Sequence, residues 1–184
     1  MPDYGPVTRS GLPAVSTPRL DFELVPGPEY ARKMGFFIFG YTVYPQVAVW
    51  LETEDGSYLG TVYVTDRVGK GKFRAAPAEG RPEALPVWSA IVAAESTRPD
   101  AVSSPTVVKA NVGHASDIGA SLPAGRYVVR LETNRSYDWN GTYTRENAGV
   151  NGQPSLVYEA RFECGGPQVE VPFVPVGTGS VDGS

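Results

Sequence analysis

The fold is decided by the stretch from residue 47 to residue 65, which reads VAVWLETEDGSYLGTVYVT. Its two ends, Val47 to Thr53 and Tyr58 to Thr65, are rich in β-branched and aromatic residues, which favour strands. The residues between them, Glu54 to Ser57, contain an Asp-Gly pair that tolerates the positive φ of a tight turn. The stretch therefore predicts a β-hairpin.

Strand patterns also precede this hairpin. Leu20 to Val25 alternates between apolar and polar residues, which predicts a half-buried strand. Phe36 to Tyr44 is apolar almost throughout. Because a strand that is buried on both faces has this character, we expect a central strand there.

Two further segments alternate with a period of two, namely Arg126 to Thr133 and Ser155 to Glu163. The turn Pro123-Ala124-Gly125 introduces the first segment, and Gln168 to Val174 can supply a last strand after the second. We expect the polar side chains Arg126, Arg130 and Glu132 to point to water. The side chains expected to point inward are Tyr127, Val129, Leu131, Leu156, Tyr158, Ala160 and Phe162.

One segment breaks the strand pattern. Between Ala84 and Glu95, apolar residues that include Leu85 and Trp88 recur at helical spacing, and Pro86 is tolerated because it falls in the first turn. We predict a short helical insertion near residues 84–95. The flanking residues 70–82 and 96–114 are expected to be long polar connections.

The chain has 184 residues, which is enough for one domain with a single hydrophobic core. Residues 1–19 are proline-rich and predict an extended N-terminal arm, whereas the small and polar residues 177–184 predict a flexible tail. Residues 20–176 then form a single domain. The predicted fold is all-β: an immunoglobulin-like antiparallel β-sandwich of about seven to eight strands with one short helical insertion.

Charge and hydropathy exclude several classes of partner. The formal net charge of -4 provides no basic surface for a phosphate backbone, so nucleic acid is not an expected partner. No stretch approaches the roughly 18 apolar residues that predict a transmembrane segment. The N-terminus lacks the pattern of a secretory signal peptide, and a chain that begins after a removed signal peptide would look the same.

Few residues are suited to catalysis or to metal binding. The single histidine, His114, has no partner motif for nucleophilic catalysis, and the single cysteine, Cys164, follows the inward parity of its strand and is expected to pack. Zinc needs more nitrogen and sulfur ligands than these two. The oxygen-bearing residues between Asn134 and Glu146 do not have the spacing of a calcium loop. We therefore predict a protein that is not an enzyme and has no metal or cofactor.

Candidate binding residues are concentrated in three polar connections, residues 80–89, 134–140 and 150–155. Charged side chains there can anchor polar groups of a ligand, aromatic rings offer apolar faces, and amides give directional hydrogen bonds. The predicted ligand-binding residues are Arg81, Glu83, Trp88, Asn134, Tyr137, Asp138, Asn151 and Gln153.

Four segments together carry a family resemblance: Val47 to Glu52, Gly80 to Ser89, Leu122 to Tyr127 and Val150 to Leu156. Over roughly residues 35 to 163, the chain resembles predicted periplasmic bacterial domains of unknown function. That family is similar to the immunoglobulin-like domain of the flagellar hook-capping protein, in which a Pro-x-Gly-x-Tyr turn leads into a core strand. The resemblance implies a periplasmic or otherwise extracytoplasmic location. It favours a non-catalytic binding or accessory module with an unknown protein or small-molecule partner in the cell envelope.

Two alternative functions are left open. Asp100 to Thr106 resembles the Asp-x-x-Ser/Thr-Gly-Ala-Thr sequence in which flavin mononucleotide (FMN) is attached to the final threonine, which would make Thr106 the cofactor-binding residue of a redox carrier. Here Ser104-Pro105 replaces Gly-Ala, and proline restricts the backbone at that point. The other alternative is a structural or assembly protein of the cell envelope, which would contact its partners through strand edges or through the turn at Glu54 to Ser57.

Overall fold

The computed structural model describes residues 20–25, 27–36, 39–73, 80–95, 102–104, 112–116, 122–167 and 169–180. The strands are β1 Leu20–Leu24, β2 Arg32–Phe36, β3 Phe39–Val43, β4 Gln46–Thr53, β5 Tyr58–Thr65, β6 Val102–Ser104, β7 Val112–Ser116, β8 Gly125–Asn134, β9 Leu156–Cys164 and β10 Val174–Thr178. The helices are α1 Asp66–Gly69, α2 Pro86–Glu95 and α3 Arg145–Ala148, and a 3-10 turn spans Pro82–Ala84. The predicted arm at residues 1–19 lies outside the described residues.

The strands form one large sheet and two ribbons. The large sheet has six strands in the order β10-β9-β8-β4-β5-β6, and all its pairs are antiparallel except β5 with β6. The ribbons are β1 with β7 and β2 with β3. The predicted all-β sandwich with one short helix is confirmed, and α2 is the helical insertion predicted near residues 84–95.

The hairpin at the centre of the sequence forms as predicted. β4 and β5 pair antiparallel, with Ala48 opposite Val64 and Glu52 opposite Tyr58. The backbone N–H of Thr53 donates to the carbonyl of Ser57 over 2.9 Å, which closes the turn. Gly56 has a φ of +90°, a conformation that glycine adopts without a steric penalty.

The large sheet is covered on both of its faces, and its strand β4 is apolar on both faces. One face packs a core that contains Val49, Leu51 and Leu131, with Leu24 of the β1–β7 ribbon against it. The opposite face packs under α2. The buried residues of this second core are Ala48, Trp50, Val64, Leu85 and Trp88. Burial of both faces explains the nearly continuous apolar sequence of β4.

The turn before β8 is anchored by a tyrosine. The Tyr127 hydroxyl donates to the carbonyl of Pro123, four residues upstream, over 3.0 Å. The Tyr127 ring stacks on Phe162 of β9, with the ring centroids 5.7 Å apart. The hydrogen bond fixes the angle at which the chain enters the sheet.

The single strand predicted over Phe36 to Tyr44 is wrong. The chain instead forms β2 and β3, a separate ribbon in which Gly35 lies opposite Gly40. Tyr41 is 58% exposed, so the apolar sequence of this segment does not report a buried central strand. Two glycines supply no side chains for a core, and this favours a peripheral ribbon.

The polar connection predicted over residues 96–114 contains strands instead. β6 lies at the edge of the large sheet beside β5, and β7 pairs with β1 from Leu20 opposite Ser116 to Leu24 opposite Val112. His114 therefore lies in β7, opposite Phe22, and not in a loop. The partners are distant in sequence, so no local pattern indicates these pairings.

The orientations of two side chains also differ from the predictions. Glu132 is fully buried, because α2 covers its face of the sheet. Leu156, expected inward, is 44% exposed at the first position of β9.

The last strand lies later in the chain than predicted. It is β10, which begins at Val174, where the strand predicted over Gln168 to Val174 ends. β10 extends to Thr178 and so includes two residues of the predicted tail.

Candidate functional site

The three polar connections meet at one end of the large sheet. β8 and β9 are antiparallel neighbours with Thr133 opposite Leu156, so the loop that leaves β8 lies beside the loop that enters β9. The third connection, which leads into α2, reaches the same end, where Arg81 contacts Ser136 and Asn151 of the other two. The topology of the sheet thus brings residues 80–89, 134–140 and 150–155 together.

The Arg81 guanidinium ties the three connections to one another. Its Nε donates to Glu83 Oε1 over 2.8 Å, its Nη1 to Ser136 Oγ over 3.1 Å, and its Nη2 to Asn151 Oδ1 over 2.5 Å. The Asn151 Nδ2 completes the network by donating to the backbone carbonyl of Glu83. Because all three nitrogens of the guanidinium donate to groups of the protein, Arg81 positions the loops and does not offer a free cation to a ligand.

The backbones of the second and third connections are paired directly. The N–H of Tyr137 donates to the Val150 carbonyl over 2.6 Å, and the N–H of Gln153 donates to the Asp138 carbonyl over 3.0 Å. Tyr137 is the one non-glycine residue with a positive φ, +62°, among those that the structure describes. A strained residue that is held by a short hydrogen bond indicates a rigid loop.

A cleft of about 390 Å³ lies between these loops and the end of β10. That volume is within the range of roughly 300–1,000 Å³ that is typical of small-ligand sites. Among the described residues, no lysine, arginine or histidine lines it. The lining residues with polar or aromatic side chains include Glu83, Asn134, Tyr143, Asn147, Asn151, Gln153, Ser155 and Thr178.

Two amides in this cleft are unpaired. Asn134 is only 8% exposed, Gln153 is half-buried, and neither side-chain amide forms a hydrogen bond within the described residues. In contrast, the Asn147 amide accepts from the Thr144 N–H over 2.7 Å and donates to the Thr142 carbonyl over 2.9 Å. Neither amide has an atom among the buried polar atoms that lack a partner, so both amides reach the solvent in the cleft and are available to a ligand.

No protein-family model, curated protein or solved structure matches the chain.

Four of the eight predicted binding residues line the cleft: Glu83, Asn134, Asn151 and Gln153. Arg81 lies in the network that joins the loops. The Asp138 carboxylate pairs with Arg135 Nη2 over 2.6 Å, and Arg32 of β2 lies 3.8 Å from it. The Tyr137 ring packs edge-on against Trp139, with the centroids 5.6 Å apart. Asp138 and Tyr137 thus stabilise the loop and do not line the cleft.

Trp88 lies in the core and does not present a face to a ligand. It is 4% exposed and packs with Trp50 and Leu85 between α2 and the large sheet. Its Nε1 donates to Thr61 Oγ1 over 2.9 Å, which satisfies the indole N–H without a ligand. The helical spacing that places Trp88 on the buried face of α2 is the same spacing that predicts the helix.

Glu132 lies beneath the cleft and is a residue that the sequence pattern misses. Its Oε1 accepts from the Ser155 hydroxyl over 2.6 Å and from the Val87 N–H over 3.2 Å, and its Oε2 accepts from the Trp88 N–H over 2.8 Å. Burial raises the pKa of Glu132, although these three hydrogen bonds oppose the rise. The carboxylate thereby caps the N-terminus of α2, whose first residue is preceded by Leu85, a side chain that cannot cap.

Three further features bear on metal binding, thiol chemistry and membrane insertion. Within the described ranges, no group of three or more His, Cys, Asp or Glu residues could hold a metal ion. Cys164 is half-buried, with its Sγ 3.6 Å from the Leu122 carbonyl. None of the helices in the described parts of the chain is both long and apolar enough to cross a membrane.

Substitution of Arg81 by lysine is expected to loosen the three connections. Lysine keeps the charge but cannot reach Glu83, Ser136 and Asn151 at once. The loss of about 1–2 kcal/mol of hydrogen bonding corresponds to roughly tenfold faster amide hydrogen exchange in residues 134–140 and 150–155. Arg161→Lys is the matched control, since this exposed arginine pairs only with Glu159 in the described part of the chain. Equal exchange in both variants would show that Arg81 does not hold the loops.

Proposed function

We propose that the chain is a non-catalytic, extracytoplasmic binding module that holds a small neutral polar ligand in the three-loop cleft. The observation that carries the proposal is the pair of unpaired amides, Asn134 and Gln153, in a cleft whose walls are already cross-linked by Arg81. A preorganised wall lowers the entropy lost on binding. The amides supply the donors and acceptors that orient a ligand.

The charges of the cleft favour a neutral ligand. The described residues that line it include one carboxylate, Glu83, which is partly neutralised by Arg81 at 2.8 Å, and no basic side chain. An anionic ligand would have no counter-charge, and a buried uncompensated charge is unfavourable. A ligand with hydroxyl or amide groups would instead satisfy Asn134 and Gln153.

The same geometry supports binding rather than catalysis. General acid–base chemistry needs a titratable group within hydrogen-bond reach of the substrate. The Ser155 hydroxyl is paired with the Glu132 carboxylate, but Ser155 is 1% exposed and a ligand in the cleft cannot reach its oxygen. The other carboxylate at the cleft, Glu83, is paired with Arg81 through Oε1, and among the described lining residues no second carboxylate and no histidine lies beside it.

The proposed extracytoplasmic location and the proposed immunoglobulin-like type of the sandwich are supported by two other observations. The periplasmic or otherwise extracytoplasmic location is supported by the sequence resemblance over roughly residues 35 to 163. The immunoglobulin-like assignment is supported by the Tyr127 hydrogen bond to Pro123, since a tyrosine before a core strand bonds back to the upstream turn in such sandwiches.

The two alternative functions stay predictions. Thr106, the residue that would carry FMN, lies outside the described residues. Intact mass after co-expression with a flavin transferase would test that alternative, and Thr106→Ala would serve as its control. A structural role in the cell envelope would be tested by cross-linking through the exposed turn at Glu54 to Ser57.

The proposed binding function is tested by screening small neutral polyols, amides and nucleosides against the full chain with ligand-observed NMR. We expect hits whose affinity falls about tenfold in Asn134→Leu, since one hydrogen bond to a buried amide contributes about 1–2 kcal/mol. Arg126→Ala is the control, because among the described residues Arg126 pairs only with Glu54 and it lies near the start of the strand that Asn134 ends. Hits that bind Asn134→Leu unchanged, or no hits at all, would contradict the proposal.

A further inference from the structure

We infer that the ligand of the three-loop cleft is a neutral saccharide, an inference that rests on the proposed binding function and names its ligand class. Three features of the cleft point to this chemistry together. They are an exposed aromatic ring, two unpaired amides and a carboxylate oxygen at the mouth.

The aromatic ring is that of Tyr143, which lines the cleft and is 37% exposed. Its backbone is fixed, because its N–H donates to Asn140 Oδ1 over 2.8 Å and its carbonyl accepts from the Asn140 N–H over 2.9 Å. α3 begins two residues later behind a capping box between Thr144 and Asn147. An aromatic face presented at a fixed position attracts the C–H groups on the apolar face of a sugar ring.

The amides match the hydroxyl groups of a sugar. Each hydroxyl both donates and accepts a hydrogen bond, and each amide side chain presents an oxygen acceptor beside an NH₂ donor. One amide can therefore pair with two neighbouring hydroxyls. Asn134 and Gln153 are both available for this pairing, and Oε2 of Glu83 has no protein partner among the described residues.

Other ligand classes fit less well. A phosphate or carboxylate would need a cation, but the guanidinium of Arg81 is directed to Glu83, Ser136 and Asn151. An extended peptide is recognised best at a strand edge with free backbone groups. β10, the edge strand beside the cleft, contains Pro175, which has no N–H. The cleft presents side chains to its ligand, as a saccharide site requires.

The test has two arms on the full chain. In the first arm, an array of neutral oligosaccharides identifies a binder, which is then titrated against ¹⁵N-labelled protein. In the second arm, a neutral capped tripeptide, N-acetyl-Gly-Asn-Gly-amide, is titrated in the same way. We expect saccharide binding that perturbs the side-chain amides of Asn134 and Gln153, weakens at least tenfold in Tyr143→Ala and is retained in Tyr143→Phe.

The outcomes separate the two proposals. Binding of the peptide without any oligosaccharide would overturn the saccharide inference and leave the binding function standing. Binding of neither would overturn the saccharide inference, and it would overturn the binding function as well if the polyols, amides and nucleosides also fail to bind. Saccharide binding that is unaffected by Tyr143→Ala, with the fold confirmed by thermal unfolding, would also overturn the inference, because the ring would then not contact the ligand.

Discussion

Glu132→Ala is expected to lower the free energy of unfolding by about 3 kcal/mol. The buried carboxylate accepts hydrogen bonds from the backbone N–H groups of Val87 and Trp88 at the start of α2. Alanine would leave both donors without an acceptor in the core, and each unsatisfied buried donor costs about 1–3 kcal/mol. Urea unfolding at neutral pH measures the loss. A loss below about 1 kcal/mol would contradict a capping role for Glu132, since that is the scale of an ordinary hydrogen bond.

Glu132→Gln separates the charge of this residue from its shape. Because burial raises the pKa of Glu132, the folded state binds this proton more tightly than the unfolded chain does. The contribution of the group to stability is therefore greatest at low pH, and it is lost as the pH rises from the ordinary value of 4.5 through the raised pKa. Relative to the wild type, Glu132→Gln should become more stable as the pH rises across this window. A difference in unfolding free energy that is independent of pH would contradict the raised pKa.

The parts of the fold that the sequence predicts correctly depend on local signals. β4 and β5 are adjacent in the chain, are rich in strand-forming residues and are joined by a turn with the required glycine. The helix α2 follows from apolar residues at a spacing of three and four. In both cases the evidence lies within about twenty residues, which is the reach of a periodicity argument.

The parts that the sequence does not predict depend on pairing between distant residues. β7 forms a strand because β1 lies beside it, although its own sequence, Val-Gly-His-Ala-Ser, contains a glycine and only one strong strand former. Glu132 is buried because α2, more than thirty residues earlier, covers that face of β8. Alternation within β8 correctly assigns Glu132 to the face opposite Leu131, but it cannot show that the second face is covered as well.

The sequence predicts which loops form the candidate site but not the role of each residue in them. Turn residues beside polar groups indicate the three connections, and the pairing of β8 with β9 brings two of these connections together. The role of each side chain cannot be predicted from the sequence, because the side chains of Arg81, Trp88 and Asp138 form hydrogen bonds or ion pairs within the protein. The sequence does not indicate Tyr143, because this residue follows the predicted connection and is held beside the cleft by Asn140.

One sequence feature does point to Glu132. The helix α2 begins at Pro86 without a side chain nearby in sequence that could cap it, so its first N–H groups need an acceptor from elsewhere in the chain, and Glu132 is that acceptor.

Gly152→Ala is expected to lower the free energy of unfolding by about 3 kcal/mol and to abolish binding in the cleft. Gly152 has a φ of +79°, and a Cβ at this position would lie 2.5 Å from the carbonyl carbon and oxygen of Asp138. The backbone strain costs about 1–2 kcal/mol, and relief of the clash requires the two paired loops to separate. That separation would break the hydrogen bond from the Gln153 N–H to the Asp138 carbonyl.

Gly149→Ala is the matched control, because it isolates the strain from the clash. Gly149 also has a positive φ, +57°, but no atom of the described residues lies within 4 Å of the position that its Cβ would occupy. Its ψ of -139° is one that glycine adopts far more readily than alanine does, so we expect a loss of about 1–3 kcal/mol from strain alone and a cleft that is retained. Urea unfolding measures both losses, and hydrogen exchange of residues 134–140 reports whether the loops separate. Equal exchange of residues 134–140 in the two variants would mean that the chain accommodates the Cβ at residue 152, and that the close approach of the two loops does not maintain the site.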